Sequence, residues 1–259
     1  MAKIKVGIYC GHGTQTNGTW DPGATYGNEK EATRMLPITE AFVKYAKLNG
    51  FEVITDVPKN NINMVKQVAK SEAEDVDVHI SIHCDWYKAS SGSFGLYCKG
   101  SKKGKKLATC LNTYVKTMTG IKSKGVTART DLYELNKTSM PACVFECGSI
   151  KADRYEWDTV AEADEYGRAL CKGLCKYYGK TFIEKKATVK TPYLVRVTSS
   201  ALNIRSGAGT EYKKVGTIKD KGIYTIIEVK GNWGKLKSST AKSPRWINLS
   251  YTTVYKKAI

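Results

Sequence analysis

The chain contains only three histidines, and two of them stand where a strand pattern ends. His12 lies in Cys-Gly-His-Gly (10–13), where glycines on both sides let the backbone turn sharply and present the ring. His83 closes the run VDVHISIHCD, in which alternation puts Val78, Ile80 and Ile82 on one strand face and His79, Ser81 and His83 on the other. Ligands at the C-terminal edge of adjacent parallel strands suit an α/β active site. His79 is one strand repeat deeper and reads as a core residue.

A catalytic divalent site takes three protein ligands and keeps a position open, and a carboxylate would complete the set. The stretch 27–53 offers Glu29 and Glu31. Counted from Glu31, the residues Met35, Ile38, Phe42, Tyr45 and Ala46 form one apolar helical stripe. Counting from Glu29 breaks that stripe at Thr33 and Glu40. The phase therefore favours Glu31, with Glu29 as a solvated first-turn acid; Pro37 inside the pattern weakens the argument. Glu146 follows the apolar run 142–145 and precedes Cys-Gly, so its carboxylate should emerge at the same sheet edge, where it would be costly to leave buried and unpaired.

Elements that could position these groups are legible along the first 180 residues. Strand-like runs at 3–10, 51–55, 77–84, 95–98 and 142–146 alternate with helical patterns at about 30–49, 62–71, 103–118 and 160–178. Such alternation predicts an α/β fold, a largely parallel sheet flanked by helices. A basic, weakly apolar stretch at 182–192 reads as a linker between a catalytic domain at 1–181 and a second domain at 193–259. The latter has five or six short strands separated by turns such as SGAGTEY and KGNWG, which predicts a small all-β barrel.

The order Gly-His-Gly, DPGATYGNEKEA, SIHCD and PACVFECGSI resembles the zinc-dependent N-acetylmuramoyl-L-alanine amidases of cell-wall autolysins and phage endolysins, over about residues 3–178. The resemblance implies Zn2+ held by His12, Glu31 and His83, with Glu146 as catalytic base. It also implies hydrolysis of the bond between the muramic acid lactyl group and L-alanine in peptidoglycan. Three departures concern substrate detail: Thr14 replaces a usual Gly, Asp85 a common Asn, and Ser149-Ile150 an aromatic-containing run. Residues 193–254, with LNIRSGAGT, KGNWGK and a closing Trp-Ile, resemble a bacterial SH3 domain, a module that usually tethers enzymes to the wall. Trp233, Trp246 and Arg205 there read as packing residues before binding ones.

Charge is unevenly placed. From Lys185 onward 16 Lys and Arg face three acids, a surplus of 13, whereas residues 1–184 carry a surplus of only 5. The tail thus seeks polyanions, and the anionic polymers of a bacterial wall are the expected partners beside peptidoglycan. Nucleic acid is disfavoured because no base-reading helix motif occurs. No run approaches the ~18 apolar residues of a membrane span. MAKIKVGIYCGHG lacks an apolar signal core, an expectation of synthesis in the cytoplasm and action on the wall after release, as in a phage endolysin. A host autolysin, a sporulation amidase or a catalytically inactive wall-binding protein are the alternatives. The eight cysteines form no CxxC pair and read as small buried apolar residues.

Overall fold

The computed structural model describes residues 3–15, 17–184, 191–230 and 232–256. The chain divides into two compact units, Met1–Ile183 and Glu184–Ile259. Residues 185–190 of the expected linker lie outside the described residues.

In the first unit, strands β1 (Lys5–Cys10), β2 (Glu52–Ile54), β3 (Val78–Asp85), β4 (Ser93–Cys98), β5 (Ser123–Arg129) and β6 (Ala142–Ser149) make one sheet in the order β2-β1-β3-β6-β4-β5. Neighbours run parallel except the antiparallel β6–β4 pair. The helices are α1 (Glu31–Leu48), α2 (Met64–Ala73), α3 (Lys102–Thr119), the one-turn α4 (Tyr133–Asn136) and α5 (Val160–Tyr177).

The alternation of each strand decides which helices cover it. Val6, Ile8, Ile80, Ile82, Cys143 and Phe145 share a core with the apolar stripes of α1, α3 and α5. Helix contacts are close because two glycines of α5 leave room: a Cβ on Gly167 would lie 2.4 Å from the Ala41 Cβ, and one on Gly173 2.7 Å from the Leu111 Cα. The opposite face carries Tyr9, His79, His83 and Glu146 and is covered in part by α2, whose Ser71 reaches Tyr9 and His79.

Pro37 lies within α1, yet the helix runs on to Leu48 and buries Met35, Ile38, Phe42, Tyr45 and Ala46 together with Glu31. Strand β5 has no counterpart in the sequence reading. Its residues SKGVTAR are mostly exposed, as befits an edge strand with one partner, and so carry no apolar alternation. Between β1 and α1 the chain folds into two tiny antiparallel ribbons, Gly13–Thr14 with Trp20–Asp21 and Thr25–Tyr26 with Glu29–Lys30. They wrap the segment after His12 back toward the start of α1.

The second unit is an antiparallel sheet of seven strands: β7 (Tyr193–Val197), β8 (Leu202–Arg205), β9 (Lys214–Ile218), β10 (Ile223–Lys230), β11 (Trp233–Leu236), β12 (Trp246–Asn248) and β13 (Thr252–Lys256), ordered β9-β8-β12-β11-β10-β7-β13. Tyr193, Val195, Leu202, Ile226, Leu236 and Ile247 supply its core. Trp246 is buried with Lys230 and Lys235 over its ring, and Trp233 is half-buried. Arg205 donates to the Tyr212 carbonyl at 2.8 Å, closing the turn after β8. All eight cysteines are free thiols, six of them buried. Among the described residues no helix is long and apolar enough to cross a membrane.

Candidate metal centre

Three chain segments deliver His12, Glu31 and His83 to one point, and one donor atom from each lies within 4.8 Å of the other two. His12 follows β1 with a left-handed backbone, φ 61°, next to Gly13 at φ 90°. A non-glycine residue there is mildly strained, and the turn it makes throws the imidazole over the sheet edge. His83 is the sixth residue of β3, where the parallel register places it directly beside Glu146 of β6. Equivalent positions of paired strands point to the same side, so the Glu146 carboxyl and the His83 ring share one face.

Glu31 is the first residue of α1 and is only 2% exposed. One carboxylate oxygen accepts from the Cys84 N–H at 2.9 Å and lies 3.1 Å from His83 Nδ1. The other accepts from the Ala24 N–H at 2.8 Å and lies 3.3 Å from His12 Nε2. Two backbone donors thus aim the side chain between the rings. Glu29, the alternative, points away and pairs with Arg34, which also bridges to Asp158 at 2.9 Å.

Close approach depends on two glycines. A Cβ on Gly11 would stand 2.2 Å from the His83 ring, and one on Gly23 would stand 2.6 Å from both Glu31 and His12. Gly23 also has φ +68°, a conformation glycine adopts freely.

The electrostatics ask for positive charge. Burial disfavours the His12 imidazolium, but its hydrogen bond to Glu31, the charge of that carboxylate and Asp21 together raise its pKa above the ordinary value. The same balance, with Glu134 and Glu31 as the opposing partners, raises His83 well above it. Burial works against the Glu31 carboxylate, yet the two imidazoles hold it far below the usual range. Glu146 behaves the other way. Burial is the leading cause of a rise to about 7, and one of its oxygens is buried without a hydrogen-bond partner.

These observations fit a bound divalent cation. Ligand atoms about 2.0–2.1 Å from a tetrahedral ion stand roughly 3.3 Å apart; one Glu31 oxygen is 3.1 Å from His83 and the other 3.3 Å from His12, and one donor atom from each residue lies within 4.8 Å of the others, so small side-chain shifts would close the set. Nearby thiols are poor competitors, since burial pushes Cys10 up to about 12 and Cys84 higher still. His12 and His83 border an open cavity of about 450 Å³ lined also by Asp21, Glu134, Asn63 and Gln67 among others.

Residues 6–176 match the N-acetylmuramoyl-L-alanine amidase family and residues 200–253 match the bacterial SH3 domain. The chain belongs to the N-acetylmuramoyl-L-alanine amidase family. An uncharacterised 38.4 kDa protein of Clostridium perfringens is 26% identical over 245 residues, covering 84% of this chain and 71% of its own. Among solved structures, the amidase AmiC2 of Nostoc punctiforme superposes with a TM-score of 0.61 at 21% identity, over 69% of this chain and 99% of its own. The catalytic domain of the amidase CwlV from Bacillus (Paenibacillus) polymyxa var. colistinus gives 0.60 at 21%, with the same shares of each chain. At such identities the two structures attest the fold.

Two acids of this amidase-family site were not singled out by sequence reasoning. One Asp21 carboxylate oxygen lies 2.9 Å from His12 Nδ1 and accepts from its N–H, while the other accepts from the Gly23 N–H. Glu134, in α4, is 5% exposed and sits 3.7 Å from His83 Nε2. Asp21 lies in the DPG turn and had a local signal. Glu134, in DLYELNK, reads as a surface acid, and nothing local distinguishes it.

Proposed function

We propose that this amidase-family chain hydrolyses the amide between the N-acetylmuramic acid lactyl group and L-alanine of peptidoglycan, using one zinc ion held by His12, Glu31 and His83. The observation that carries the reading is the convergence of two imidazoles and one buried carboxylate beside the open cavity, with a second acid, Glu146, one strand away. A bound zinc would polarise the scissile carbonyl and bring the pKa of a water toward ~7.

The protein side chains supply what the ion does not. Asp21 fixes the His12 ring by its Nδ1, leaving Nε2 to face Glu31. Glu31 brings one negative charge to offset the cation. Glu146, beside His83 in the strand register and with one carboxyl oxygen lacking a hydrogen-bond partner, would take a proton from water and pass it to the leaving nitrogen. Proton delivery is needed because an amide nitrogen leaves poorly as an anion. The C-terminal unit, basic and of the bacterial SH3 type, is proposed to hold the enzyme on the anionic wall.

The test is mass spectrometry of purified walls digested by the full chain. New L-alanine amino termini and free lactyl carboxylates are expected, abolished by chelation and restored by zinc. New reducing sugars or peptide–peptide cleavage in their place would overturn the reading.

A further inference from the structure

A line of buried polar groups runs beneath His83. Successive same-face residues of β3 are His79, Ser81 and His83, and a carboxylate enters between the two imidazoles: Glu134 Oε1 lies 3.7 Å from His79 Nε2, and Oε2 lies 3.7 Å from His83 Nε2. None of His79 Nε2, His83 Nε2 and Glu134 Oε1 has a hydrogen-bond partner, the two 3.7 Å separations being ion-pair contacts. On its far side His79 meets the Ser71 hydroxyl through Nδ1 at 2.9 Å, and Ser71 in turn reaches the Tyr9 hydroxyl at 3.3 Å. Tyr9 stacks on the His79 ring with centroids 5.2 Å apart. Tyr9, Ser71 and His79 are fully buried.

Apolar residues at 79 and 134 would satisfy this layer at lower cost, since burying a carboxylate and an imidazole is expensive unless they meet each other. The placement of Glu134 is firm. Leu135 anchors α4 in a cluster with Leu96, Ala142 and Val144, and the Thr138 hydroxyl caps the Glu134 carbonyl at 2.9 Å. Ser139, just beyond, is tied through its N–H and hydroxyl to Glu72 of α2. The carboxylate is therefore held against His83 from a scaffold independent of β3.

We infer that Glu134 is the positioning residue of His83, as Asp21 is of His12. Glu134 stands 3.7 Å from the unpartnered His83 Nε2, and by closing that gap to accept from Nε2–H it would set the tautomer and the ring plane, with Nδ1 left facing Glu31. His79, braced by Ser71 and Tyr9, keeps Glu134 from swinging away. The inference rests on the proposed metal centre. It adds a determinant of metal affinity that makes no contact with the ion.

The experiment measures zinc dissociation constants of the full chain by chelator competition for wild type, Glu134→Met, Glu134→Gln and Glu31→Gln, with unfolding temperatures alongside. Loss of the acceptor in Glu134→Met should weaken zinc 10–100-fold. Glu134→Gln, whose amide oxygen can still accept, should recover part of that loss. In zinc-loaded wild type, the 15N shifts of His83 should report a protonated Nε2 and a metal-bound Nδ1, with the Nε2 resonance moved in Glu134→Gln. A merely structural role would lower the unfolding temperature and leave zinc affinity and the His83 shifts alone. Affinities within threefold of wild type in both Glu134 variants overturn the inference. Should Glu134→Met not fold, unchanged His83 shifts in Glu134→Gln overturn it alone. If wild type binds no zinc, or Glu31→Gln binds it as tightly, the metal reading itself has failed.

Discussion

Replacing Glu146 by Gln separates the proton chemistry of the site from its folding energetics. In the metal-free protein burial is the main cause that raises this carboxyl from 4.5 to about 7; Glu31 and Asp85 push the same way and His83 and His12 oppose. Below pH 4.5 the group is protonated in both folded and unfolded chains and contributes nothing to pH dependence. As pH rises from there toward 7, the unfolded chain gives up the proton and the folded one keeps it, so wild-type stability falls. Above 7 the loss is complete. A tenfold change in proton affinity is ~1.4 kcal/mol, which makes the full loss at most about 3 kcal/mol. The side chain retains some exposure, so about 2–3 kcal/mol is expected. Gln does not titrate. Any cost of burying its amide is a constant offset, and the titrations of groups remote from position 146 cancel between the two proteins. Thermal unfolding in chelator at pH 4.5, 6, 7 and 8 should therefore show the Gln variant gaining on wild type by roughly 4–12 °C as pH rises, at about 2–4 °C per kcal/mol. Zinc content of the loaded variant should stay near one per chain while wall hydrolysis falls by about 10²–10⁴. Two parallel stability curves, or undiminished hydrolysis, would refute the assignment of Glu146.

Other expectations follow from the same geometry. Gly11→Ala places a methyl 2.2 Å from the His83 ring, so zinc affinity measured by chelator competition should drop, and wall hydrolysis by about tenfold to a hundredfold. Asp21→Asn weakens the hold on His12 Nδ1 and should cost about 10–100-fold in zinc affinity with little change in unfolding temperature; equal affinity would remove Asp21 from the site. A chain ending at residue 184 should remain a folded, zinc-binding hydrolase of soluble wall fragments yet sediment less with intact walls. Retention of the full chain should fall as salt rises, since its C-terminal surplus of 13 positive charges is screened. Salt-independent retention would count against an electrostatic anchor.

Much of this architecture could be read from residue order. The alternation of β1, β3 and β6 and the apolar stripe of α1 are local patterns with strict periods, so they betray both the elements and the faces that must be buried. Histidines and acids at the ends of those elements follow as candidates, because a side chain beyond the last buried residue must emerge at the sheet edge. The same phase argument ranked Glu31 above Glu29, and it works because a helix that buries one stripe also fixes where its first residue points. Strand β5 escaped because an edge strand with one partner and little buried side chain has no period to detect.

What the order of residues could not say is which distant groups meet. Glu134 is 51 positions from His83 and sits in a single helical turn, yet register and the anchoring of Leu135 bring its carboxylate between two imidazoles. Asp21 reaches His12 because two short ribbons fold the intervening loop back. The raised pKa of Glu146 comes from burial among groups supplied by four separate segments. Local propensity acts over a few residues, whereas electrostatic and hydrogen-bond partners depend on distance in space. Thus the sequence itself named the elements and the candidate ligands. The acids that meet those candidates, and the burial that shifts their pKa values, were decided only when the chain packed.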